Sequence, residues 1–266
     1  MDFTEHKAPN GVLYLTAPTI SLRHAFTTRL GGVSTGDQAG LNLSSNRDPV
    51  FAHVAENYRR LGEATGIDTA RMAVTKQVHG RVVRTVTDAD VHIMGAPVPY
   101  EADGLVTNVP GLAIICYTAD CVPVLLADET HGVIAAVHCG WRSSVADILR
   151  VALDAMRELG AESASTAAAI GPAISRCCFE VGGEVVEAVE SYLGGDAADL
   201  YAPAEGREGK YFLDLKAANA RRLTQLGVPE SSIAVSGDCT FCLPEKYWSH
   251  RYTKGKRGNQ GALIVL

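Results

Sequence analysis

Ala119-Asp-Cys-Val-Pro-Val-Leu-Leu-Ala-Asp-Glu-Thr-His-Gly-Val-Ile-Ala-Ala-Val-His-Cys-Gly-Trp-Arg-Ser-Ser144 holds two apolar runs around a polar tetrad, Asp128 to His131, that ends at Gly132. That is the pattern of a β-hairpin with a four-residue loop. With Ala127 opposite Gly132, Cys121 falls opposite His138, and opposed residues of an antiparallel pair share a face with Cβ atoms about 4.5–5.5 Å apart. A thiol and an imidazole are thereby expected to meet at the open end of the hairpin. The chain then turns through Gly140-Trp-Arg142 into a helix over 143–159, where Val145, Ile148, Leu149, Ala152, Met156 and Leu159 make one apolar face. Free amides and the positive end of a helix dipole would lie there, so Arg142 and Ser143 are candidate anion-binding residues. The plainer reading is a helix start capped by serine.

Outward from the hairpin, short apolar runs predict strands over 22–28, 72–74, 82–86, 112–116, 233–236 and 262–266. Helical patterns cover 183–193, 215–226 with Asp214 as cap, and a stretch opening at Asp48-Pro49 and running to about Glu63. The segment 194–209, rich in Gly, Ala and Asp, reads as a surface loop. The 266 residues, 47% hydrophobic and 20% charged, suit one folded domain over 1–266. A net charge of −6 has the wrong sign for a nucleic-acid surface. No uncharged apolar run reaches the ~18–20 residues that a bilayer requires, and the N-terminus lacks a signal-peptide pattern. The expectation is a cytoplasmic protein without a membrane or nucleic-acid partner.

Seven cysteines are an odd number for a disulfide framework, which turns attention to thiolate chemistry and metals. In Lys76-Gln-Val-His-Gly80, alternation would place Gln77 and His79 on one side. His79, Cys121 and His138 form a set of two nitrogens and one sulfur, which suits Zn²⁺ with a fourth position open. Cys239-Thr-Phe-Cys242 is a CxxC without a second CxxC, to which His250 could add a ligand. Cys177 and Cys178 are neighbours that a strand would point apart, so core packing is the expected role. Gly31-Gly-Val-Ser-Thr-Gly36 matches no phosphate-loop pattern and reads as a turn that leaves Arg29 near a pocket rim.

Phe26-Thr-Thr-Arg-Leu-Gly-Gly-Val-Ser34, Leu41-Asn-Leu-Ser44, Gln77-Val-His-Gly80, Ala102-Asp-Gly-Leu-Val106, Ala119-Asp-Cys-Val-Pro-Val124, His138-Cys-Gly-Trp-Arg142, Gly171-Pro-Ala-Ile174, Phe179-Glu-Val-Gly182 and Ser249-His-Arg251 resemble, in order, the motifs of the YfiH or laccase-domain (polyphenol oxidase) family. The resemblance implies an α+β fold with mixed β-sheet layers flanked by helices, like that of the cytotoxic necrotising toxin deamidases. It implies that His79, Cys121 and His138 are the zinc-binding and catalytic trio. It further implies phosphorolysis of adenosine, inosine, guanosine or methylthioadenosine to the base and a pentose 1-phosphate, with adenosine deamination in some members. Where many members carry His-Ala-Gly-Trp-Arg-Gly, Cys139 and Ser143 stand here, and Cys139 should alternate away from the site.

On this reading Arg29, Arg142 and Ser143 would hold phosphate and offset developing charge. Gln77 would bond base or ribose, and Asp120 would orient a ligand from behind. A four-copper oxidase needs about ten histidines, commonly in His-x-His pairs. The chain has eight histidines and no such pair, so copper is expected only as an adventitious occupant of the trio. The rival enzyme reading is a metal-free Cys121–His138 hydrolase or amidase acting on peptidoglycan precursors, and a binding module without turnover ranks last.

Overall fold

A computed structural model describes residues 2–45, 47–93, 96–98 and 100–266. Two six-stranded sheets form its centre. The first runs Thr4–Lys7, Leu13–Thr16, His24–Thr27, Gln260–Val265, Ala113–Thr118, Met72–Ala73. The second runs Ile233–Val235, Ala167–Ile170, Val122–Asp128, Val133–Cys139, Gly104–Thr107, Val83–Thr85. Alternation sorts their side chains into layers. Phe26, Ile114, Cys116 and Ile264 of the first sheet meet Leu125, Ala127, Ile134 and Ala136 of the second. On the far side of the first sheet, Ala25, Ile115 and Leu263 pack on Val54, Tyr58 and Leu61 of the helix Phe51–Thr65. On the far side of the second, Val124, Leu126, Ala135 and Val137 pack on the helices Ile148–Glu158, Gly183–Tyr192 and Leu215–Gln225. The order is helix, sheet, sheet, helices: an α+β architecture of mixed sheets, as the resemblance implied. Among the described residues no helix is long and apolar enough to cross a membrane.

The hairpin forms with a register two residues from the expected one: Asp128 pairs with Val133, and Pro123, not Cys121, pairs with His138. Asp128 sets the turn. Its carboxylate accepts from the amides of Thr130 and His131 and from the His131 ring at 2.7 Å, while Gly132 takes a left-handed φ of 65°. A shift of two keeps every side chain on its expected face, whereas a shift of one would have reversed them. His138 therefore still points into the layer between the sheets, and the buried Cys139 points to the helix side.

Four other expectations need correction. The helix expected over 143–159 is two pieces, Trp141–Val145 and Ile148–Glu158. They break at Asp147, whose φ of 64° is held by contacts to Arg150 and Arg222 at 2.9 and 2.6 Å. Gly140, not a serine, caps the first piece, and the helix after Asp48-Pro49 starts only at Phe51. Within 194–209, Tyr201–Pro203 adds a strand to a third sheet with Lys210–Leu213 and Glu180–Gly182. The helix Leu215–Gln225 forms as its sequence says, with Asp214 accepting from the Ala217 amide at 2.9 Å.

Candidate metal centre and substrate cavity

Where the two sheets end, the hairpin delivers His138 from the strand and Cys121 from the residue before its partner strand. His79 arrives from a loop whose backbone is strained, with φ 61°. That loop is held by Asp103, which is wholly buried. Its carboxylate accepts the amides of Val78, His79 and Gly80 at 3.2, 2.9 and 2.8 Å, and the Nδ1 of His138 lies 2.8 Å away. One carboxylate thus fixes both histidines. Because Nδ1–H of His138 is committed to Asp103, Nε2 is the nitrogen that can bind a metal once its proton is lost.

The ligand atoms of His79, Cys121 and His138 lie within 4.8 Å of one another. The Cys121 sulfur is 3.9 Å from His79 Nε2, and the imidazoles meet edge to face with centroids 4.8 Å apart. Gly140 borders all three: a Cβ there would stand 3.1 Å from His79 Cδ2, 3.3 Å from Cys121 Sγ and 3.7 Å from His138 Cε1. Burial alone would raise the Cys121 thiol, but His138 above all, with His79, outweighs it and brings the group down to about 6. Burial would lower His138, and Cys121 with Asp103 reverses that, taking it up to about 9. Without a metal the arrangement is a thiolate beside an imidazolium. Two nitrogens and a thiolate, oriented from behind by a carboxylate and open on one side, fit a zinc ion with three protein ligands.

The trio forms one wall of a cavity of about 540 Å³, a size for a small organic molecule. Gln77, Tyr58, Tyr117, Thr118, Arg47 and Arg257 line the rest of it with others. Gln77 faces the cavity, but both ends of its amide are bonded to the Tyr117 backbone at 2.7 Å, so it braces that strand. Arg257, like Asp103, is a residue that sequence reasoning missed. Burial, with Arg47 nearby, pulls its guanidinium down to about 10, still charged at neutral pH, and its Nε has no partner among the described residues. Thr118 Oγ1 is likewise buried without a partner among them.

The other expected site residues lie off this lining. Arg29 stacks over Trp248 and donates to the carbonyls of Pro244 and Ala39. Arg142 is exposed and lies over Trp141, while Ser143 is buried behind it. Asp120, at φ 88°, accepts from Thr240 Oγ1 and from the Arg251 amide, both at 2.6 Å, and so fixes the backbone beside Cys121. Nothing in the motif spacing pointed to Arg257, which reaches the cavity from the loop before the last strand, Gln260–Val265.

Two histidines and a cysteine, brought together at the ends of the sheets with Asp103 behind two of them, are the residues that the motif series singled out as a set, and Asp103 is an addition to it. A family model described as multi-copper polyphenol oxidoreductase laccase matches residues 23–266. The chain belongs to this laccase-domain family. A purine nucleoside phosphorylase of Deinococcus radiodurans is 40% identical over 256 residues, covering 96% of this chain and 94% of its own. A protein named adenosine deaminase RL5, of an unknown prokaryotic organism, is 33% identical over 233 residues, covering 85% and 87%. The crystal structure of YlmD from Geobacillus stearothermophilus superposes with a TM-score of 0.89 at 32% identity, over 98% of both chains. Laccase-domain members are thus similar to this chain along almost its whole length.

Proposed function

We propose that the chain is a zinc-dependent purine nucleoside phosphorylase, a single catalytic domain that converts adenosine, inosine, guanosine or methylthioadenosine and phosphate to the base and a pentose 1-phosphate. The observation that carries this is one cavity with a His79–Cys121–His138 ligand set on one wall and the arginines 47 and 257 on its lining. The relatives' names support the substrate class. A zinc ion on the trio supplies Lewis acidity at one open position. Asp103 keeps His138 in the tautomer whose Nε2 is a donor to metal. Arg257, desolvated and with an Nε–H that has no partner among the described residues, holds phosphate by charge-assisted hydrogen bonds with Arg47, in the role expected of Arg29, Arg142 and Ser143. Thr118 Oγ1 and the Tyr58–Tyr117 hydroxyl pair, 2.6 Å apart, offer polar contacts to the sugar or base. The name of one relative is consistent with adenosine deamination in the same cavity. Copper chemistry of the four-copper kind lacks ligands, since among the described residues the other group able to hold a metal is made of cysteines alone.

Hypoxanthine release from inosine by the purified chain, with and without phosphate, tests the reading. Release is expected to depend on phosphate and to vanish in His138→Ala; release equal to that variant's would defeat it. The thiolate–imidazolium pair also favours a second reading, a Cys121 hydrolase. Metal analysis separates them. Stoichiometric zinc lost in Cys121→Ala supports the phosphorylase, while inactivation by iodoacetamide of a metal-free active enzyme supports the hydrolase.

A further inference from the structure

Far from the trio in sequence, Cys177, Cys178, Cys239 and Cys242 converge, with all four sulfurs within 4.8 Å of one another. The Cys242 sulfur is 3.7 Å from that of Cys177 and 3.3 Å from that of Cys178. Tetrahedral zinc with Zn–S near 2.3 Å sets sulfurs about 3.8 Å apart, so small side-chain rotations complete the geometry. The strand rule that would part Cys177 from Cys178 does not apply, because both sit in a turn closed by the Cys178 and Phe179 amides on the Ser175 carbonyl at 2.9 Å. On the other side the Ser175 amide donates to the Cys239 sulfur at 3.4 Å, a contact that favours a thiolate there. Cys177 and Cys242 are exposed, which core packing of small hydrophobes does not explain. The Lys216 ammonium, nearly buried on the carbonyls of Ser236 and Asp238, lies near Cys239 and Cys177 and would offset the net negative charge of zinc with four thiolates.

We propose that these four cysteines bind a second, structural zinc ion, closed to substrate. The four thiols lose their protons on binding, and the ion clips the turn after the strand Ala167–Ile170 to the turn after Ile233–Val235. That clip bears on the trio. The bridge of Ala173 to Cys239 and the Thr240 hydroxyl on Asp120 carry the clipped turn to the residue beside Cys121. The inference stands apart from the proposed reaction, since it requires only the thiols.

The test loads the full chain and its His79→Ala/His138→Ala variant with cobalt(II) and zinc(II) under reductant. The variant is expected to bind one cobalt with thiolate charge-transfer bands and intense visible bands of a tetrahedral site, and to lose both with Cys239→Ser/Cys242→Ser added. In the unmutated chain, zinc X-ray absorption should average about 2.5 sulfur ligands per zinc, against one if only the trio binds. A folded variant that binds no cobalt, a spectrum without thiolate bands, an average of one sulfur, or a disulfide among the four in reduced protein would each overturn the proposal.

Discussion

At the scale of residues, the Cys121–His138 pair was legible because hairpin pairing preserves faces even when register is misjudged by two, whereas His79 joined it through its own motif. Asp103 was not legible: an aspartate before glycine reads as a turn residue until three amides and a histidine are seen around it. Asp103→Asn is expected to weaken zinc binding at the trio about 10–100-fold, measured by competition with a chromophoric chelator, because the amide cannot orient His138 and anchor the His79 loop equally well. Unchanged affinity would mean the ligands hold themselves. Gly140→Ala, whose methyl would press on His79 and Cys121, should likewise lower trio occupancy. Arg257→Gln removes a charge-assisted contact of about 1.5–3 kcal/mol, so the KM for phosphate should rise roughly 10–100-fold in initial-rate assays. Arg142→Ala, off the cavity, should change it little; the reverse pattern would restore the helix-start site that the sequence suggested.

Among the elements, the hairpin, the outer helices and the strands with β-branched runs could be read directly. Ala167–Ile170 could not, because an alanine-rich run favours helix until both neighbours are known. The break at Asp147 was hidden for a similar reason, since the apolar spacing continues across it and only Arg222, distant in sequence, reveals the turn. The hairpin tip carries its own prediction. Burial would raise Asp128, but the Glu162 amide, Ser165 and His131 keep it below the usual carboxylate range. Its folded value lies under its unfolded one, so its stabilisation is complete above about pH 4 and is lost as pH falls through the folded value. Thermal melts from pH 7 to 3 should show that acid loss in the native chain. Asp128→Asn should be less stable by about 1–3 kcal/mol at pH 7 with a shallower acid slope. Parallel slopes for the two would place the acid sensitivity elsewhere.

For the molecule as a whole, the net charge of −6 spoke against nucleic acid, yet it concealed a local excess of positive charge: Arg47 and Arg257 on one cavity lining. Composition averages over a surface, whereas a small anionic substrate meets only the residues that the layers gather. The layers themselves followed from strand patterns and motif order. The joining of the loop 254–259 to the cavity did not, because it depends on the strand Gln260–Val265 inserting between His24–Thr27 and Ala113–Thr118. The most direct measurement strips the full chain of metal with a chelator and follows phosphate-dependent hypoxanthine release as zinc is returned. Activity that disappears on stripping and recovers in proportion to zinc bound at His79, Cys121 and His138 is the predicted result. Full activity in zinc-free protein, or recovery in a Cys121→Ala chain, would contradict it.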